Sequence, residues 1–140
     1  MGVKFSTRTT YGVRAMIALA RHYGQGSLSL QNISKAEQIS RGYLERLFSK
    51  LKKDGLVKSE KGKDGGYQLS RDPKKTNMFE IIKSLEGRMS PFHCLDEKGK
   101  IYCSEKCQCG ATKMLVDVQR AVNDALKGIK LKDLCNTPIK

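Results

Sequence analysis

No stretch of this chain approaches the roughly 20 consecutive apolar residues that a bilayer-spanning helix needs. The N-terminus also lacks the apolar core and small-residue cleavage site of a secretory signal, so the expected location is the cytoplasm. Histidine is scarce, with only His22 and His93. No nucleophile is matched with a base, which argues against an enzyme. There is no internal repeat and no low-complexity tract. Acidic side chains are in the minority, 14 Asp and Glu against 27 Lys and Arg, which leaves a formal net charge of +13 in 140 residues. Such an excess calls for an anionic partner, and nucleic acid fits best. The length suits one domain with a real core, or a small domain plus an appended helix.

The most informative stretch runs from Ile39 to Leu69, ISRGYLERLFSKLKKDGLVKSEKGKDGGYQL. Its first half reads as a helix capped by Ser40 and stopped at Gly55, because Leu44, Leu47, Phe48 and Leu51 share one stripe at helical spacing. Gly42, Glu45, Arg46, Ser49 and Lys53 fall on the other side, where the bare glycine permits close approach to a surface such as DNA. The second half alternates as a strand around Val57, breaks from Gly62 to Gly66, and resumes at Tyr67, Gln68 and Leu69. That is a hairpin with a basic, glycine-rich tip, carrying Lys58, Lys61 and Lys63. A helix followed by such a hairpin is the layout of a winged helix-turn-helix. The alternative is an ordinary amphipathic helix and a surface hairpin whose lysines only aid solubility.

Around this centre the pattern predicts a first helix from the Ser6 to Thr10 cap region to about Tyr23, with Val13, Met16, Ile17 and Ala20 inward. Arg8, Arg14 and Arg21 lie on its polar side, where they and the nearby hydroxyls either reach a phosphate or form a solvated face. Gly24 and Gly26 break it. Ser29 caps a short second helix to Glu37 with Leu30, Ile33 and Ala36 inward, and the tight turn to Ser40 makes a helix-turn-helix. Asn77 and Glu80 form a capping-box start for a helix burying Phe79, Ile82 and Leu85 and stopping at Gly87. From about Ala111 a long helix places Leu115, Val118, Val122, Ala125, Leu126 and Ile129 on an apolar stripe. Lying beyond a complete winged domain, it needs a cover: a second copy is the simplest one, and the alternative is that it folds back on its own domain. The expected organisation is a winged helix-turn-helix domain over 1–88, a cysteine-rich cluster-binding loop over 89–110, and a dimerisation helix and tail over 111–140. The fold class is mainly α with a small β-hairpin wing.

Cys94, Cys103, Cys107 and Cys109 lie within sixteen residues, while Cys135 stands apart beside Leu131 and Leu134 and is expected simply to pack. A reducing compartment disfavours structural disulfides, so the clustered thiols point to a metal. Thiolates suit an iron-sulfur cluster or zinc, and spacing leaves both open. Reactive thiols without metal are a third reading, since a lysine such as Lys106 lowers a thiol pKa.

These residues together resemble the IscR/NsrR-type winged-helix transcriptional regulators, the Rrf family. The resemblance spans FSTRTTYGVRAMIALA, the Ile39 to Leu69 stretch, the cysteine loop and the final helix. It implies a homodimeric, cytoplasmic regulator that binds double-stranded DNA at an operator with two half-sites. The implied DNA-binding set is Ser40, Arg41, Tyr43, Glu45 and Arg46 on the helix, with Lys61, Gly65 and Gly66 on the wing. It further implies a 2Fe-2S cluster held by Cys94, Cys103 and Cys109, with Cys107 as an alternative or additional ligand and zinc as the alternative metal. The chain departs from the family's pattern where a fourth ligand is expected. No histidine follows the last cysteines by three residues, where Gly110 and Thr112 stand, and Thr10 occupies the place of an aspartate that ligates in other members.

Overall fold

The computed structural model describes residues 5–62, 65–87 and 110–136. Among these residues six helices and one hairpin follow in order: α1 Thr7–Arg21, α2 Leu30–Glu37, α3 Arg41–Lys53, β1 Val57–Glu60, β2 Gly66–Leu69, a 3-10 turn Pro73–Lys75, α4 Met78–Glu86, α5 Gly110–Gly128 and α6 Leu131–Leu134. The expected class, mainly helical with a small hairpin, is the observed one.

α1 is the central element, touching α2, α3, α4, α6 and β2. Surrounded in this way, it buries a wider and slightly rotated arc than a single stripe predicts. Ala15, Met16, Leu19 and Ala20 are buried, whereas Val13 and Ile17 are only half-buried against the same core. Gly12 lets α1 lie close to α4, since a Cβ there would stand 2.4 Å from Leu85 Cδ1. In α2, Leu30 and Ile33 face inward as expected, but Ala36 is exposed in the last turn, ahead of the helix end at Glu37 and the left-handed Gln38. The four apolar residues expected to anchor α3, Leu44, Leu47, Phe48 and Leu51, are all buried.

α4 begins with the expected capping box: Asn77 Oδ1 accepts from Glu80 N at 3.0 Å, and Glu80 Oε2 accepts from Asn77 N at 3.2 Å. It ends at Gly87, whose φ of +78° suits a residue without a Cβ. Ile82 and Leu85 are buried as expected, joined by Met78 and Ile81, while Phe79 is only half-buried and lines a surface cleft. After α5 the chain returns to the winged domain. Met78 N donates to Ile129 O at 2.9 Å and Leu131 N to Thr76 O at 2.8 Å, pinning the end of α5 in an antiparallel bridge. Leu131 is fully buried in the same core as α1. The segment expected as a dimerisation helix and tail thus contributes a core side chain to the winged domain.

Candidate nucleic-acid interface

The recognition helix is fixed at its start by Ser40, whose Oγ accepts from Tyr43 N at 3.3 Å. An N-cap of this kind satisfies an amide that the first helical turn leaves without a partner. With the apolar stripe inside, Arg41, Gly42, Glu45, Arg46 and Ser49 form one exposed face. Arg41 Nε and Glu45 Oε1 are 3.5 Å apart, an exposed i,i+4 pair that adds little stability. Arg46 carries no ion pair among the described residues, so the face offers one unpaired guanidinium beside one neutralised pair. Tyr43 is different. Its ring is half-buried, edge-on to Tyr11 at 5.8 Å, and helps seat α3 on α1.

The wing pairs Val57 with Leu69, Lys58 with Gln68, Ser59 with Tyr67 and Glu60 with Gly66. Three contacts set its position. The Tyr67 ring lies 4.8 Å from Phe48 on the recognition helix. Leu28 and Tyr67 exchange backbone hydrogen bonds of 2.8 and 2.9 Å, adding a third strand-like segment to the hairpin. Gln68 Nε2 donates to Glu60 Oε1 across the two strands. Lys58 and Lys61 are exposed on this rigid base. Gly65 and Gly66 have packing roles as well. A Cβ on Gly66 would stand 2.4 Å from Leu28 O, and one on Gly65 would stand 2.6 Å from Glu60 O. The Leu28 segment was not legible as a partner, since a single bridge leaves no alternating pattern.

The polar side of α1 is mostly committed within the chain. Arg14 Nε donates to Glu37 Oε2 at 3.1 Å and its terminal nitrogen to Glu37 O at 2.5 Å, bracing the end of α2 rather than reaching outward. Arg21 Nε donates to Cys135 O at 3.0 Å. Ser6 donates to Glu86 Oε1 through both its amide, at 2.8 Å, and its hydroxyl, at 2.7 Å, and the Thr9 hydroxyl donates to the same oxygen. Two of the hydroxyls expected near a phosphate are therefore turned onto a carboxylate of the chain itself. Burial pushes the Glu86 carboxyl up, but the Ser6 and Thr9 hydroxyls, the Ser6 amide and the nearby Arg8 together hold it below its ordinary value. No sequence spacing relates residues 6 and 86.

Cys94, Cys103, Cys107 and Cys109 lie outside the described residues, as does Lys63. Among the described residues no three His, Cys, Asp or Glu side chains gather as a metal site. Cys135 packs half-buried as expected, its Sγ 3.5 Å from Leu131 O, and burial raises its pKa. No described helix is long and apolar enough to cross a membrane.

A helix-turn-helix braced by Arg14, followed by a wing locked to the recognition helix, defines a winged-helix DNA-binding regulator. The family described as Rrf2, iron-dependent transcriptional regulator, matches residues 5–137, and the chain belongs to it. It is 34% identical over 134 residues to the transcriptional regulator CymR of Bacillus subtilis, covering 96% of this chain and 91% of that one. It is 33% identical over 132 residues to IscR of Xenorhabdus nematophila, covering 94% of this chain and 79% of that one. The solved structure of CymR, described as the global cysteine regulator of B. subtilis, superposes with a TM-score of 0.84 at 33% identity, over 99% of this chain and 100% of that one. The chain is accordingly a transcriptional regulator and not an enzyme.

Proposed function

We propose that the chain acts in the cytoplasm as a homodimer on double-stranded DNA, at an operator of two half-sites, and that it senses iron-sulfur status, redox state or nitric oxide through a 2Fe-2S cluster. The observation that carries the DNA reading is the exposed face of α3 held beside the wing by the Phe48–Tyr67 contact. Arg46 is suited to a base edge and Lys61 to a phosphate, with Arg41 and Glu45 parting from each other to meet DNA. A carboxylate at that surface repels phosphates and accepts from cytosine, so Glu45 acts as a selector against wrong sites.

Dimerisation is supported by the outward face of α5. Leu115, Val118, Val122 and Ala125, with Ile129 just beyond the helix end, recur at alternating spacings of three and four, and all are exposed or half-buried. That is the seam of two helices packing along their length. Two winged domains joined there can meet half-sites about one DNA turn, some 34 Å, apart.

The donor set supports the cluster. Four thiols within sixteen residues suit a thiolate-ligated 2Fe-2S group, which Cys94, Cys103 and Cys109 would hold, with Cys107 as an alternative or additional ligand. When bound, such a group supplies a centre sensitive to oxygen, nitric oxide and iron supply. The thiols would ligate as thiolates, so binding of the group would release their protons. Residues 88–109 join α4 to α5 in sequence, so binding there acts at once on the winged domain and on the dimer helix. The test begins with protein purified without oxygen, its visible absorbance and its iron and zinc content. Operator affinity is then compared for cluster-loaded protein, stripped protein and Cys103→Ser. Iron-linked absorbance with unequal affinities is expected. Zinc without absorbance, or no metal, replaces the cluster with the zinc or thiol alternative, and three equal affinities end the sensor reading while leaving DNA binding intact.

A further inference from the structure

Phe79 and the C-terminal turn of α3 border a feature that neither DNA binding nor thiol chemistry uses. An open cleft of about 850 Å³ lies between that turn and α4. This is within the range of about 300–1,000 Å³ typical of small-molecule sites. The cleft is at the far end of the recognition helix from its Ser40 cap, thirteen residues or roughly 20 Å away along the axis. Its walls carry four cations, Lys50, Lys53, Arg71 and Lys83, against two carboxylates, Asp54 and Glu80. Glu80 is already held by Arg71 at 2.9 Å, and Lys50 and Lys53 have no ion-pair partner among the described residues.

The same wall holds an aromatic ring that the hydrophobic pattern assigned to the core. Phe79 is half-buried and lines the cleft, with Lys127 of α5 over its ring at 4.7 Å. Ser84 Oγ donates to Lys50 O at 3.4 Å, closing the floor between the two helices. Phe79 together with Lys50 and Lys53, which have no ion-pair partner among the described residues, matches one ligand chemistry, a planar apolar body bearing an anionic group.

We propose that this cleft binds a small aromatic organic anion, with Phe79 receiving the ring and Lys50 and Lys53 the charge. A ligand there touches the recognition helix and α4 together, so it acts on the DNA-reading element from behind, independently of the cysteines.

Three probes at matched ionic strength test this on the full chain: 2-naphthoate, inorganic phosphate, and 2-naphthalenemethanol. Backbone amide shifts at Gly55, Leu56, Ser84 and Gly87 are followed by NMR. 2-Naphthoate should shift them saturably, and the charge-only and ring-only probes should bind about tenfold more weakly or worse. Phe79→Leu, which keeps apolar volume, and Lys50→Glu, on an exposed side chain, should each weaken 2-naphthoate by about fivefold. Lys53→Glu serves if either variant loses its native spectrum. Equal responses to phosphate and naphthoate, shifts centred on Met114 and Val118 instead, or unchanged affinity in the folded variants would overturn the site. Operator binding by the unliganded protein is read separately, so failure here leaves the regulator assignment standing.

Discussion

α3 and α5 are both amphipathic, and their faces are turned in opposite senses. α3 sends Leu44, Leu47, Phe48 and Leu51 into the core and leaves a polar face outside. α5 leaves Met114 and Val118 at 58% and 37% exposure, with Ile129 just beyond its end at 37%, while Gln119 and Asn123, at 3% and 8%, are buried. Asn123 Oδ1 has no hydrogen-bond partner among the described residues, a condition that costs about 1–3 kcal/mol. The apolar needs of α3 are met within its own domain, so its outward chemistry is available to a ligand. The apolar face of α5 is met only in part: the helix touches α4 and Leu126 packs on the core, while Met114 and Val118 stay exposed.

The contrast is broken most severely from the α3 side. Phe48→Ala removes a fully buried ring that also positions the wing through Tyr67, and should cost about 3–5 kcal/mol in urea unfolding. A loss under about 1 kcal/mol would show that α3 is not anchored by this stripe.

The matching change on α5 should spare the fold and remove the assembly. Val118→Asp with Val122→Asp places unpaired charge in the proposed seam. It should raise the dimer dissociation constant at least about a hundredfold in sedimentation. The circular dichroism of the winged domain should be retained. A variant that remains dimeric and still binds a two-half-site operator would place the interface elsewhere.

Glu86→Gln probes the clamp on α1, which neither helix face uses. Losing the charge that accepts from Ser6 and Thr9 should cost about 1–2 kcal/mol at neutral pH. Because the folded pKa is depressed, this stabilisation is complete above the ordinary value of 4.5 and is lost as pH falls through the lower folded value. The gap between wild type and Glu86→Gln in thermal unfolding should therefore be flat across neutral pH and close only in acid. A gap that closes near pH 6 would assign the effect to another group.

The smallest effect has two signs. Gly42 is exposed on α3 with nothing within 4 Å of where its Cβ would lie, so no contact inside the chain requires glycine. Gly42→Ala should stabilise the fold by up to about 0.5–1 kcal/mol through helix propensity. If DNA approaches the backbone there, operator affinity should fall in the same variant. A variant both more stable and equally tight would remove Gly42 from the interface.

The local features were legible because each is written in a few adjacent residues. The Ser40 cap, the four-residue stripe of α3, the Asn77–Glu80 box and the Gly87 stop all depend on helical period and on side chains that bond their own backbone. Phe79 was misread as core because a nine-residue helix offers two overlapping apolar arcs, and only packing against α1 chose the one containing Ile81. Of the site, the exposed face of α3 was readable as the complement of its buried stripe. The engagement of Arg14 with Glu37 and the pairing of Arg41 with Glu45 were not, since several partners at suitable distance exist for any exposed cation.

The sequence by itself determined the helix-turn-helix, the hairpin and the basic face, because backbone hydrogen bonding and apolar periodicity act over a few residues. It also supplied the four clustered thiols, whatever their geometry. Only the tertiary structure decided that Leu28 would pair with Tyr67, that Glu86 would gather Ser6 and Thr9, that Leu131 would return to the first helix's core, and that α5 would leave Met114 and Val118 exposed. These relations join segments far apart in the chain, and they are selected by how all the buried surfaces fit at once. No local period encodes that fit.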